Sequence, residues 1–235
     1  MKGREFKDAV YEQLSHVAAA YGSPKRIEII DVLAQGERNV ETLSAETGLS
    51  VANTSRHLQV LKGAGLAVSR KAGLQVFYRL AGPEVVEGHR VLRIIAEARI
   101  AELGRAAKAY FDGADGMQPI GREELMERAR TGDVVVLDVR PAEEYESGHI
   151  AGALSIPLEE LEKRLSGIPL DCEIVAYCRG PYCVLAAEAV RLLRQRGRKA
   201  VRFAEGYPEW RDAGLPVETF APEDFRPAKI QEKTT

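Results

Sequence analysis

"EIVAYCRGPYCVLAAEAV", Glu173–Val190, places two of the chain's three cysteines, Cys178 and Cys183, on either side of an Arg-Gly-Pro-Tyr turn. "EIVAYC" is a short apolar run, the pattern of a strand covered on both faces. "VLAAEAVRLLRQRG" carries apolar residues at helical spacing, with Gly197 as its stop. The strand therefore ends at Tyr177, Cys178 starts a tight loop, and a helix begins near Tyr182 or Cys183. Working outward, "DVVVLDVR" (133–140) and "KAVRF" (199–203) repeat the strand pattern, and "REELMERAR" (122–130) repeats the helical one. Strands alternating with helices imply a parallel sheet with helices on both faces.

A thiol between a buried strand and a helix start faces backbone N–H groups and the positive end of the helix, an arrangement that favours an anion. A free thiol ionises near pH ~8.5, and one at a helix N-terminus at about 3.5–7.5, so Cys178 is expected to be a low-pKa nucleophile. The carboxyl end of a parallel strand is also where open α/β sheets place their sites. Cys183 reads in two ways, as a second thiol that resolves a persulfide on Cys178 into a disulfide, or as a small apolar residue on the first helical turn. Cys172, beside Asp171 and Glu173, reads as incidental, with a resolving role left open. Two thiols are too few for a metal site.

The chain has 235 residues, 45% hydrophobic and 29% charged, enough for two ordinary domains. No apolar run approaches the roughly 20 residues of a bilayer span, and "MKGREFKDAV" lacks the apolar core of a secretory signal. With an odd and low cysteine count, these features lead us to expect a cytoplasmic protein without a disulfide framework. "DGADGMQP" (112–119) reads as a linker between residues 1–111 and 120–221, and 222–235 as a frayed tail.

The first half is patterned as helices. Ser23-Pro24 suits the start of "KRIEIIDVLAQ". Asn39 can cap "VETLSAET", Gly48 breaks it, and Ser50 can cap "VANTSRHLQVLKGAG", whose stripe Val51, Leu58 and Leu61 would be buried. Two helices joined by a tight turn form a helix-turn-helix, and "LAVSRKAGLQVFYRL" adds a hairpin with Lys71, Ala72 and Gly73 near its tip. Residues 47–83 hold five basic residues (Arg56, Lys62, Arg70, Lys71 and Arg79) and no acidic one, although the net charge is only −2. Such a window suits phosphate. The expected DNA-contacting set is Ser50, Asn53, Thr54, Ser55, Arg56, His57, Gln59, Lys62, Arg70, Lys71 and Arg79.

"TSRHLQVLKGAGLAVSRKAGLQVFYRL" resembles the recognition helix and wing of the ArsR winged-helix family, and the likeness extends over about residues 5–110. It implies a homodimer on double-stranded operator DNA, with contacts made by helices near 6–21 and 84–110. "EVVEGHRVLRIIAEARIAEL" has the apolar periodicity for the second. Relatives that sense metals use cysteines in the first helix of the motif, or acidic and His ligands on the last. "VETLSAETG" has no Cys and His89 has only Glu87 beside it, so no metal and no cofactor is expected.

"LDVRPAEEYESGHIAGALSIP", "IVAYCRGPYC" and "AEGYPEWRDAGLPV" are similar, in sequence and order, to the rhodanese (sulfurtransferase) domain over about residues 117–219. The resemblance makes Cys178 the sulfur-accepting nucleophile, with Arg179, Gly180, Pro181, Tyr182 and Cys183 completing its loop. Asp138, Arg140 and His149 would hold the loops, and Trp210 would be core. Where typical sulfurtransferase loops carry a second basic residue this chain has Cys183, so weak turnover of thiosulfate is expected. The fold expected is thus multidomain, a mainly α winged helix-turn-helix followed by an α/β rhodanese-like domain with a parallel sheet. Two functions compete. One is a transcriptional regulator in which a persulfide or disulfide at Cys178 reports reactive sulfur or redox state, with thiosulfate, polysulfide or a persulfide as donor. The other is a rhodanese-type sulfurtransferase with an accessory DNA-binding domain.

Overall fold

The computed structural model describes residues 2–115, 119–132 and 134–219, and of 112–115 only the backbone. The expected tail at 222–235 lies outside the described residues.

Helices α1 (Gly3–Tyr21) and α2 (Pro24–Leu33) lead into the two-residue strand β1 (Arg38–Asn39), then α3 (Val40–Thr47) and α4 (Val51–Gly63). The caps behave as their chemistry requires. Asn39 accepts from the Thr42 amide at 2.7 Å, and Gly48 takes a left-handed conformation (φ 64°) between the two helices. Ser50 accepts from the Asn53 amide at 3.3 Å. Strands β2 (Ala67–Ala72) and β3 (Gln75–Leu80) form the antiparallel hairpin, its turn at Gly73-Leu74, and β1 pairs with β3 to make a three-stranded sheet. Ile29, Ile30, Leu33, Leu43, Leu58, Leu61 and Tyr78 form the core beneath them. Each such side chain contributes about 1.5–3 kcal/mol by leaving water.

Two expectations fail on α4. Val51 is 48% exposed, while Thr54, expected to face DNA, is completely buried. The buried stripe is Thr54, Leu58 and Leu61. Thr54 lies one turn before Leu58, and its hydroxyl donates to the Ser50 carbonyl at 3.1 Å, so burying it leaves no polar group unsatisfied.

The region expected as one long helix is two, α5 (Pro83–Arg99) and α6 (Ala101–Asp115), broken at Ile100, whose backbone is extended (φ −117°, ψ 97°). The break turns α6 back onto the second domain, and its last turn occupies the first four residues of the expected linker.

In the second domain, α7 (Arg122–Thr131), β4 (Val134–Asp138), α8 (Ala142–Ser147), β5 (His149–Ile150), β6 (Leu154–Ser155) and α9 (Leu158–Arg164) precede β7 (Glu173–Cys178). Then follow α10 (Val184–Gln195), β8 (Ala200–Gly206), α11 (Tyr207–Asp212) and β9 (Val217–Glu218). The parallel sheet runs β6-β4-β7-β8, and β5 pairs with β9 apart from it. Alternation along β7 divides the core. Ile174, Ala176 and Cys178 face Leu161, Val190 and Leu193 on one side, whereas Val175 and Tyr177 face Phe203, Tyr207 and Trp210 on the other. Trp210 is core, as expected. No helix among the described residues is long and apolar enough to cross a membrane.

Candidate functional site

The thiols sit where a bulge interrupts the β7–β8 pairing between Ala176 and Cys178. Bulges re-aim the chain beside sites. Gly206, opposite, lies so close to the loop that a Cβ there would stand 2.4 Å from the Arg179 and Gly180 backbone. Only glycine lets β8 pass.

The two cysteines differ in a way the residue pattern did not reveal. Cys178 is 2% exposed, whereas Cys183 is half-buried at the N-cap of α10. Amides of Gly180 and Ala186 face the first sulfur, and those of Arg179 and Leu185 the second. Burial pushes the Cys178 thiol well up, and the neighbouring Cys183 adds to the rise. Cys183 moves down, chiefly because the Cys178 thiol hydrogen-bonds to it, with the loop amides and the Arg179 charge helping. Of the two, Cys183 is thus the more readily ionised. The expectation of a low-pKa Cys178 is corrected: burial outweighs the loop and helix amides that face its sulfur. Cys172 donates to the Pro169 carbonyl at 3.1 Å.

Arg179 does not point freely into the site. Its Nε donates to Glu144 at 2.9 Å, and its Nη2 contacts both Glu144 (2.5 Å) and Glu46 of α3 (2.8 Å). Arg38 completes the cluster, 3.2 Å from Glu144 and 3.8 Å from Glu46. Each domain thus supplies one cation and one carboxylate. Gln35 reinforces the seam, donating to the Arg179 carbonyl at 3.2 Å and accepting from Arg140 at 3.1 Å. Burial raises the Glu46 pKa, opposed by Arg179.

Asp138, Arg140 and Tyr177 form a fully buried network under the loop. Arg140 donates to both Asp138 oxygens, Tyr177 donates to Asp138 at 2.6 Å, and Tyr177 accepts from the Ile150 amide. His149 is stacked on Tyr145 with ring centroids 3.6 Å apart, its Nδ1 2.8 Å from the Tyr145 carbonyl and its Nε2 3.3 Å from Glu218. Asp138 and Arg140 thus lie in the buried layer beneath the loop, and His149 beside Tyr145 and Glu218. Glu46, Glu144, Arg38 and Gln35 were not foreseen. The buried acid in "PAEEYESGHI" was readable as unusual only once Arg179 was known to meet it across 35 residues.

On the other face, Ser50, Asn53, Arg56, Gln59, Lys62, Arg70 and Lys71 are exposed, and Ser55, His57 and Arg79 half-exposed. The recognition helix and wing bring them together. Several are held by neighbours. Gln59 donates to Tyr78 at 3.0 Å, Lys62 to Ser69 at 2.8 Å, and Arg79 to the Leu80 carbonyl at 3.1 Å. Arg70 is paired with Glu37 and lies over the Phe77 ring. Burial, with Arg26 and Arg56, pulls the His57 pKa down. Among the described residues no cluster of His, Cys, Asp or Glu could hold a metal.

A helix-turn-helix with a wing, joined to a parallel sheet with a thiol loop at its carboxyl edge, defines a two-domain protein of the DNA-binding regulator class with an α/β module at its C-terminal side. Comparison with known proteins agrees. Residues 23–69 match the model for "Bacterial regulatory protein, arsR family", and residues 121–213 that for "Rhodanese-like domain". The HTH-type transcriptional regulator Rv0324 of Mycobacterium tuberculosis is 42% identical over 216 residues, covering 92% of this chain and 95% of that protein. A sulfurtransferase of Allochromatium vinosum is 35% identical over 100 residues, 42% of this chain and 92% of its own. A homodimeric winged helix-turn-helix DNA-binding domain, fragment 1–100 of Mb0332 from Mycobacterium bovis, is 34% identical, covers 43% of this chain and 91% of its own, and has a TM-score of 0.40. The chain belongs to the ArsR family of transcriptional regulators, in the form that carries a C-terminal rhodanese-like domain.

Proposed function

We propose that this regulator binds operator DNA as a homodimer and that a persulfide or disulfide formed at Cys178 with Cys183 changes its DNA affinity. The observation that carries the reading is the ion pair between Arg179, inside the sulfur loop, and Glu46 on α3, the helix before the recognition helix. Chemistry at Cys178 or Cys183 alters the charge beside Arg179, which the DNA-binding domain holds through Glu46 and Gln35. A coupling of roughly 1–3 kcal/mol makes a usable switch. The dimer is supported by apolar side chains left in water on α1 (Phe6, Tyr11, Leu14) and α5 (Ile94, Ile95). We divide the chain into a DNA-binding and dimerising part up to α5 and a rhodanese-like part from about residue 120, with α6 bridging them.

The same ion pairs oppose the sulfurtransferase reading. Two carboxylates already neutralise the single loop cation, leaving it poorly suited to anchor thiosulfate. The test is operator binding by the full chain, reduced and after polysulfide, beside Cys178→Ser. A sulfur-dependent change of affinity that the variant lacks is the expected result. Identical affinity under all conditions overturns the proposal.

A further inference from the structure

A cavity of about 280 Å³ lies where α2, α5 and α6 meet residues 180–183. Its wall is mostly apolar, with Ile27, Leu92, Ala96 and Leu103 on the DNA-binding side and Pro181 on the loop. Cys183 forms part of that wall, and the buried Cys178 does not. The polar groups present are largely committed. Arg93 is 2.7 Å from Glu209 and 3.7 Å from Glu97, and His89 Nε2 is 3.5 Å from Asp31. His89 Nδ1 is buried and has no hydrogen-bond partner among the described residues.

These features select a ligand. An anion such as thiosulfate would leave water for an apolar wall, beside the Asp31 carboxylate and the Arg93 guanidinium, which is already paired with Glu209. That exchange is unfavourable. A molecule with an apolar body that enters in its uncharged, protonated form loses little on entry. A cavity of about 150 Å³ takes benzene, so this one has room for a ring or short alkyl group and two sulfurs.

We propose that this cavity is the donor site of the sulfur loop and accepts a small organic hydropersulfide, R–S–S–H with an apolar R, whose terminal sulfur passes first to Cys183. The inference rests on the reading that residues 178–183 carry out sulfur chemistry, and it names the donor class and the entry thiol. The Cys183 thiolate attacks the terminal sulfur. A Cys183 S–S bond forms, the R–S–S bond breaks, and the expelled R–S⁻ takes the Cys178 proton and departs as R–SH. The Cys178 thiolate then attacks Cys183 Sγ. The Cys178–Cys183 disulfide forms and HS⁻ leaves. Two electrons from the dithiol have reduced one sulfane sulfur to sulfide, and no outside oxidant is needed.

The experiment follows the intact mass of the reduced full chain with benzyl hydropersulfide, thiosulfate or inorganic polysulfide at equal concentration. Benzyl hydropersulfide is expected to convert the pair, with loss of two hydrogens, about tenfold faster than thiosulfate. Ala96→Phe, which fills the cavity, is expected to slow this donor about tenfold and leave polysulfide unaffected. Benzyl methyl sulfide, which has no sulfane sulfur, should compete against benzyl hydropersulfide in the unmodified chain, a check that needs no variant. If polysulfide modifies the thiols but benzyl hydropersulfide reacts no faster than thiosulfate, or feels no competitor, the donor site is refuted and the sulfur reading stands. If no donor modifies either thiol, both fall.

Discussion

At the scale of single residues, the sulfur loop is governed by the contrast between two thiols five positions apart. Burial raises the pKa of Cys178, and its neighbour lowers that of Cys183. Iodoacetamide should therefore alkylate Cys183 first. The lowered pKa has a definite sign: its alkylation rate should persist as pH falls below the ordinary thiol value of about 8.5, while Cys178 reacts only at higher pH. Peptide mapping across pH 6–9 reads this directly, and earlier labelling of Cys178 would overturn it. Beneath the loop, Asp138 compensates the fully buried Arg140. Asp138→Asn leaves that guanidinium without its counter-charge in a dry site and is expected to cost about 3–5 kcal/mol in urea denaturation. A loss below ~1 kcal/mol would mean that the Gln35 and Gly148 contacts suffice alone.

At the scale of elements, each helix of the DNA-binding half has one committed face. Leu58 and Leu61 fix the rotation of α4, and Thr54 joins them because its hydroxyl is satisfied within the helix. That rotation presents Asn53 and Arg56 outward. Arg56→Ala is expected to lower operator affinity and to reduce the slope of log affinity against log salt by about 1. Fluorescence anisotropy over a salt series measures it, and an unchanged slope would remove Arg56 from the phosphate contacts. The break at Ile100 was not legible, since no Gly or Pro marks it. The reason lies outside the helix. Tyr110 of α6 hydrogen-bonds Glu188 at 3.3 Å and lies under the Arg191 guanidinium, 5.0 Å from its ring centroid, so a partner in the other domain turns α6 aside.

At the scale of the whole molecule, the two domains are joined through charge. Glu46 and Arg38 from one meet Arg179 and Glu144 from the other. Burial raises the Glu46 pKa. Its protonated form is thus favoured in the fold, so its contribution to stability is present below the unfolded-state pKa and is lost as pH rises through the folded one. Glu46→Gln should therefore be tolerated at neutral pH, changing stability by no more than about 1 kcal/mol, because Arg179 keeps Glu144. The variant is expected to bind operator like the parent when reduced, and to lose most of its response to polysulfide. Thermal melts and paired affinity measurements check both halves. An intact response would show that Glu46 carries none of the coupling.

The sequence by itself determined both folds, their order, the helix-turn-helix caps at Asn39 and Ser50, the wing, and the thiol loop between β7 and α10. Each of these rests on local signals, periodicity, caps and turn residues, that act over a few positions. What only the tertiary structure decided were the burial of Thr54, the turn at Ile100, the lower pKa of Cys183, and the Glu46–Arg179 contact across 133 residues. Those depend on which surfaces meet. Burial and charge pairing are set by neighbours distant in sequence, and no pattern along the chain encodes them locally.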